Sequence, residues 1–404
     1  ERQDAAFGRD GESEQDPMMW WNAARIVICA LTSMLPPQSC RALSVDGTSG
    51  TVLLSNAFGE PLSVALLYND ARAQDEADRI AAVAPATTAA FGVGSSLAKA
   101  LWLLRHHTGP TPRWIVHPAD WVLGRFAGYY GFTDSNSALK TGFDPILQAW
   151  PAWLADVGMP SHLLPAVLSP GTDLGLVAPS VAATLGLAPD CRIISGTTDS
   201  TAAVIATGAL DPGEAVTSLG STLVTKVIAT KPIFAPQFGI YSQPFGHHWL
   251  VGGGSNSGGA VLRAFFSDEQ MAAFSSRLDS SRDTGLDYYP LLRPGERFPV
   301  YDPDFAPRLM PRPRDDGEFF QALLEGIANI ERTAYQRLAE LGAPYPSHVV
   351  TVGGGSGNAA WQRIRERRLG VPVRVATQQD ACYGAAQLAW AGLTGVKPSY
   401  VPRA

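Results

Sequence analysis

Between Arg192 and Thr222 the chain leaves an apolar run through a glycine-threonine-aspartate turn, crosses small residues, and follows a second apolar run into a glycine-hydroxyl turn. This order restricts the folds open to the chain, because each turn falls where a strand ends. Arg192–Ile194 reads as a strand end, followed by Gly196-Thr197-Thr198-Asp199-Ser200. Ala202 to Leu210 suits a close-packed helix, Asp211-Pro212-Gly213 breaks it, and Ala215–Leu219 alternates as a strand that exits into Gly220-Ser221-Thr222. Small residues at a strand exit leave backbone N–H groups and hydroxyls open to a phosphate oxygen. The carboxylate of Asp199 near such a loop suits a base working beside a phosphate. The same residues equally suit tight turns that hold no ligand.

A chain of 404 residues is too long for one small core and fits two or three domains. With 46% hydrophobic and 17% charged residues the composition is that of a soluble globular protein. No run approaches ~18 uninterrupted apolar residues, so no membrane span is expected. The net charge of -6 provides no basic stripe for a nucleic-acid backbone, which removes that partner. Cys29, Cys40, Cys191 and Cys382 lack C-x-x-C spacing, which argues against a zinc site and a disulfide framework and favours a reducing, cytoplasmic home. The polar opening lacks the pattern of a signal peptide.

Asp16-Pro17 opens a helix with Trp20, Ala24, Ile28, Leu31 and Leu35 at helical spacing. Ala42–Val45 reads as a strand, DGTSGT at 46–51 as a turn, and Val52–Ser55 as a second strand. Asp46, Thr48, Ser49 and Thr51 form a hydroxyl and carboxylate cluster suited to a polyol, or simply a serine-rich hairpin turn. Ser95–His106 is an amphipathic helix whose Lys99 faces solvent or a ligand, solvent being the simpler expectation. Thr133-Asp134 and Asn136–Thr141 make a loop of donors and acceptors. Strands are expected at Leu223–Ile228, Phe238–Ser242 and Trp249–Val251, the last entering Gly252-Gly253-Gly254, with His247-His248 on a hairpin tip rather than on a metal. Pro290 to Pro313 reads as loop, and Asp316–Leu341 as one long helix. A final strand, His348–Val352, enters Gly353-Gly354-Gly355-Ser356-Gly357-Asn358 and a helix from Ala359 to Arg368. A strand–glycine–helix unit binds nucleotide because its backbone approaches closely and the helix N-terminus favours negative charge. A dinucleotide fingerprint fits less well, since Asn358 replaces its third glycine and no second mononucleotide half follows.

DGTSGT at 46–51, TDSNSALKTG at 133–142, GTTDS at 196–200, SLGST at 218–222, EGIANIERTAYQRL at 325–338 and VGGGSGNAAW at 352–361 together resemble the FGGY carbohydrate kinases over nearly the whole chain. DGTSGT, GLDYYPL at 285–291 and GERFP at 295–299 look most like the D-ribulokinase branch of cyanobacteria and plants, formerly labelled xylulokinase-like. The resemblance implies an α/β fold of two ribonuclease-H-like domains of the actin, hexokinase and heat-shock ATPase superfamily, with sugar and ATP meeting in the cleft between them. By analogy the sugar-binding domain spans 1–207, the ATP-binding domain 208–379, and 380–404 packs back on the first.

Carried over by the resemblance, Asp199 matches the catalytic base, while Thr48 and Ser49 fall in the segment that holds the sugar. Gly220, Ser221 and Thr222 match the second phosphate loop, and Gly354, Gly355, Asn358 and Trp361 the adenosine site. ATP and Mg2+ are the implied cofactors, although the metal-binding residues stay unassigned. Family members begin with a strand and an Asp-x-Gly-Thr loop that this sequence lacks before Glu1. A clipped chain is the simpler account; a polypeptide that truly starts at Glu1 implies a catalytically silent sugar-binding protein. The implied reaction is ATP-dependent phosphorylation of a terminal hydroxyl on a small ketose, D-ribulose to D-ribulose 5-phosphate, with xylulose, another pentulose or a polyol as the alternative.

Overall fold

The computed structural model describes residues 6–7 and 11–396, so the rest of the polar opening and the segment from 397 onward lie outside the described residues. The chain forms two compact units: residues up to Gly208 together with those from Asp380 make one, and Ala209–Gln379 make the other.

In the first unit, helix α1 (Pro17–Met34) is capped by Asp16, whose Oδ1 accepts from Met18 N at 2.9 Å, with proline at the first helical position where no N–H is needed. Its Trp21 ring meets Phe126 edge-on at 5.0 Å, within a core that includes Leu53, Trp121 and Ile193. Strands β1 (Ala42–Leu43) and β2 (Asp46–Gly47) are followed by helices α2 (Ser96–His106) and α3 (Pro118–Ala127). Far along the chain, β3 (Arg192–Ile194) pairs parallel with β1, and β4 (Thr197–Thr198) pairs parallel with β2. The expected turn at Asp46-Gly47 is therefore a strand, because its partner comes from a distant segment that no local pattern reveals. Gly196 makes the pairing possible: a Cβ there would lie 1.7 Å from the Val45 carbonyl oxygen. Helix α4 (Asp199–Ala206) starts directly after β4.

Lys99 on α2 departs from its expected place at the surface, since it is fully buried and Nζ donates to the Gly94 and Tyr68 carbonyls at 2.9 and 3.5 Å. Helical periodicity marks a polar position, but this helix is covered on both sides, with Leu97, Ala98, Ala100 and Leu101 also buried. Burial, followed by the charge of Lys140, pulls the Lys99 ammonium down to about 7.

The second unit is built on six strands: β5 (Glu214–Leu219), β6 (Leu223–Ala229), β7 (Tyr241–Phe245), β8 (His248–Ser255), β9 (His348–Val352) and β10 (Val373–Val375). Their order across the sheet is β7-β8-β6-β5-β9-β10, antiparallel as far as β5 and parallel from β5 to β10. The glycines at 252–254, expected as loop, lie inside β8 opposite β6. At Gly253 the space is taken by Phe298, whose ring a Cβ would approach to 2.6 Å, and at Gly252 a Cβ would fall 2.1 Å from the Thr225 carbonyl oxygen.

The long helix α5 (Asp316–Glu340) lies in the core of this unit through Phe319, Leu323, Leu324, Ile327 and Ile330. A buried ion pair joins it to α6 (Ala359–Leu369): Arg365 Nε and Nη2 donate to the Glu331 carboxylate at 2.6 and 2.7 Å. Thr217 of β5 donates to the same carboxylate at 2.6 Å, and Thr351 of β9 accepts from Arg365 Nη1 at 2.7 Å, so both central parallel strands are tied to both helices. Such a pair holds geometry provided its remaining hydrogen bonds are made, as they are here. The last helix among the described residues, α7 (Ala381–Thr394), packs on α4 of the first unit. Among the described residues no helix is long and apolar enough to cross a membrane.

Candidate active site

The first unit gathers one group of candidate residues where β2 and β4 end. Thr197 lies opposite Asp46 and Thr198 opposite Gly47, which brings Asp199, the first residue of α4, beside the Asp46–Thr51 segment. Asp199 Oδ1 accepts from Ser200 N at 2.6 Å, while the N-cap position itself belongs to Thr198. Burial and, second to it, the charge of Asp199 push the Asp46 carboxyl up to about 6. Thr48 and Thr51 share a hydrogen bond between hydroxyls at 2.7 Å, whereas the half-buried Ser49 hydroxyl has no hydrogen-bond partner among the described residues.

A second layer holds this segment. His117 Nδ1 donates to the Thr51 carbonyl at 3.1 Å, and its Nε2 lies 3.2 Å from the Thr141 hydroxyl, which donates to it. Burial drives His117 down to about 4, so the imidazole stays neutral and that tautomer is fixed. Asn136 Nδ2 donates to Thr197 Oγ1 at 3.0 Å from a turn that Asp134 caps through the N–H groups of Asn136 and Ser137. His117 carried no motif in the sequence, and its role depends on pairing with residues far away.

In the second unit β5 and β9 run parallel, Ser218 opposite Val352, so their exits lie side by side. Gly355 N donates to the Leu219 carbonyl at 3.0 Å and joins the Gly353–Gly355 turn to the Gly220–Thr222 turn. Ser221, Thr222 and Gly354 are exposed. Asn358 caps α6, with Oδ1 accepting from Trp361 N at 3.0 Å and Nδ2 donating to Ser275 Oγ at 2.8 Å. Gln379 accepts from Gly353 N at 3.0 Å, a contact that nothing in the sequence announced.

Trp361 sits differently from a ring that offers its face to a base. It is buried, its Nε1 donates to the Leu324 carbonyl at 3.1 Å, and its ring underlies Gly355, where a Cβ would meet it at 2.8 Å. Its position acts on the turn from beneath. Among the described residues no three His, Cys, Asp or Glu side chains cluster to hold a metal by themselves.

Parallel strands ending in two hydroxyl- and glycine-rich turns beside a capped helix define a nucleotide-binding α/β protein. Residues 2–206 match the model of the FGGY family of carbohydrate kinases, N-terminal domain, and residues 215–393 that of the C-terminal domain. The chain belongs to the FGGY family of carbohydrate kinases, and it is an ATP-dependent sugar kinase. It is 24% identical to xylulose kinase of Escherichia coli (strain K12), over 93% of this chain and 81% of that protein. With xylulose kinase of Streptomyces coelicolor the identity is 25%, over 96% and 82%. The fold superposes on the crystal structure of a xyloylose kinase from Brucella ovis with a TM-score of 0.86 at 24% identity, covering 98% of this chain and 86% of that one. For glycerol kinase of Plasmodium falciparum with ADP the TM-score is 0.83 at 18% identity, over 98% and 84%.

Proposed function

We propose that this kinase transfers the γ-phosphoryl group of ATP to the terminal hydroxyl of a pentulose, D-xylulose first among them. The observation that carries the reading is the placement of Asp199 beside the hydroxyl-rich Asp46–Thr51 segment. The names of the relatives, xylulose kinases from Escherichia coli and Streptomyces coelicolor, support the choice of sugar. D-ribulose is the second reading, favoured by the DGTSGT, GLDYYPL and GERFP segments.

In this mechanism Thr48 and Ser49 orient the sugar, and the unpartnered Ser49 hydroxyl takes one substrate hydroxyl. Asp199 accepts the proton of the attacking hydroxyl as its oxygen bonds to phosphorus and ADP leaves, which requires a carboxylate within hydrogen-bond reach of that oxygen. Gly220, Ser221 and Thr222 hold phosphate oxygens, and Gly354, Gly355 and Asn358 hold the adenosine, with Trp361 keeping the turn in place. Phosphoryl transfer asks mainly for positioning and charge stabilisation, which is what such a set supplies. Magnesium binds through one or two carboxylates together with phosphate oxygens. Asp46, half-buried beside a second negative charge, fits that donor set, and the ion when bound would neutralise charge on the phosphates.

A panel of D-xylulose, D-ribulose, other pentuloses and pentitols with an ADP-release readout tests the proposal. The highest kcat/KM is expected with D-xylulose. Preference for D-ribulose replaces the first reading by the second, and sugar binding without ADP release with any of them overturns both.

A further inference from the structure

The GERFP segment carries a buried carboxylate that the reaction itself does not use. Glu296 is 3% exposed and accepts four hydrogen bonds: Oε1 from Asn256 N and Arg297 N, both at 2.8 Å, and Oε2 from the Ser255 hydroxyl at 2.5 Å and the Tyr289 hydroxyl at 2.9 Å. Asn256 Nδ2 also donates to the Gly295 carbonyl at 3.0 Å. Ser257 N donates to Ser255 Oγ at 3.0 Å, so the carboxylate holds the turn at 255–258 through Ser255 and Asn256.

That turn is in turn bonded to the Gly220–Thr222 segment. Leu223 N donates to the Ser257 carbonyl at 2.7 Å, Gly259 N to the Gly220 carbonyl at 2.9 Å, and Ala260 N to the Ser221 carbonyl at 3.1 Å. Arg263 adds a bond from Nη2 to Ser221 Oγ at 2.9 Å. With the carbonyls committed on one side, the direction of the peptide groups through the loop is set by the 255–260 segment. Burial, reinforced by the Glu296 charge, raises the Tyr289 phenol, which keeps it a donor.

We propose that Glu296, with Tyr289 as its partner, is a positioning residue that aims the Gly220–Thr222 loop at the nucleotide phosphates by clamping the Ser255–Gly258 turn. The inference rests on the reading of that loop as a phosphate contact. Losing the clamp costs affinity for the phosphates and leaves the adenosine and sugar contacts in place. A hydrogen bond to a charged group is worth more than a neutral one, so Glu296→Ala is expected to raise the KM for ATP and the Kd for ADP by about tenfold or more. The Kd for AMP and the KM for sugar should stay within about twofold of the parent, in keeping with truncation of a contact specific to the outer phosphates. Glu296→Gln should restore most of the loss, because the amide oxygen accepts the two N–H groups and both hydroxyls can rotate to accept from its nitrogen.

Calorimetry with AMP, ADP and ATP, steady-state kinetics and a melting curve on the full chain decide the matter. Tyr289→Phe, which removes one donor and keeps the ring packed on Phe305, carries the test at a smaller effect, about twofold to fivefold on ADP, should Glu296→Ala fail to fold. Equal losses for AMP, ADP and sugar, or a lower melting temperature with unchanged ADP affinity, make Glu296 a purely structural residue and overturn the inference. Gly220→Ala separates this outcome from a failure of the underlying reading. Its methyl meets nothing closer than Thr222 O at 3.6 Å, so it intrudes on a ligand and not on the fold. If Gly220→Ala binds ADP like the parent, the loop does not touch phosphate; if it weakens ADP while Glu296→Ala does not, the clamp alone is refuted.

Discussion

Asp46 and Asp199 hold their carboxylates in one site, on strands whose register sets Thr197 opposite Asp46, and burial with the Asp199 charge lifts Asp46 to about 6. An aspartate in the unfolded chain titrates near 4, so between about pH 4 and 6 the folded protein binds the extra proton and stability falls as pH rises; the cost persists above 6. Asp46→Asn removes that cost. The variant should melt above the parent at pH 7, by roughly 2–4 °C for each kcal/mol released, with the gap closing as pH falls below 4. A melting temperature at or below the parent's at pH 7 contradicts the account.

Asp199→Asn should lower turnover by about 10²–10⁴-fold, the usual loss of a general base, with ATP binding nearly unchanged in calorimetry. The near-isosteric amide can still accept the bond from Ser200 N, so the start of α4 survives. Turnover within a factor of a few of the parent would mean that Asp199 serves only the helix start.

Ser49→Ala removes a hydroxyl that no described residue engages. One uncharged hydrogen bond is worth on the order of 0.5–1.5 kcal/mol, which corresponds to roughly threefold to tenfold in kcat/KM for the sugar. Unchanged kinetics with every pentulose makes the segment structural.

Lys99→Met tests the buried ammonium. Its folded value of about 7 lies below the ~10.4 of an unfolded lysine, so between these limits the unfolded chain binds the extra proton and stability of the parent rises with pH. The melting temperature of Lys99→Met should rise less between pH 7 and 9 than that of the parent. Parallel curves would show that Lys99 is not titrating there.

Trp361→Ala empties a filled core site and should cost about 3–5 kcal/mol of stability in chemical denaturation. Trp361→Phe keeps most of the packing and loses the bond to the Leu324 carbonyl, about 1 kcal/mol, with the KM for ATP within twofold. A large ATP effect in the phenylalanine variant without loss of stability would show instead that the indole touches the nucleotide.

The two-domain kinase fold was legible because its motifs fall at strand exits in a fixed order, and a long element such as α5 announces itself by periodicity over many residues. The two-residue strand at Asp46-Gly47 was not, since a parallel partner some 150 residues away leaves no local trace. Lys99 was misplaced, and the burial of Trp361 was not legible, for a related reason: a polar or aromatic residue on a helix shows its type in the sequence, while burial depends on what packs over it. Gln379 and His117 act through hydrogen bonds to residues far along the chain, and a lone residue of either kind has many commoner uses. The Pro290–Pro313 segment has no period to read, yet it carries Glu296.

The first unit takes its last helix from beyond the second, and Gly384 of α7 rests so close to α4 that a Cβ would fall 1.9 Å from the Ala202 carbonyl. On a ribosome, that face of α4 therefore emerges well before the helix that covers it. At about 5–20 residues per second the intervening segment takes on the order of ten seconds or more to appear. The second unit is continuous in sequence and is completed within that interval. Truncation after Gln379 would leave α4, which begins at Asp199, uncovered while sparing the later-made half, an inversion of the usual order in which the N-terminal part of a nascent chain matures first.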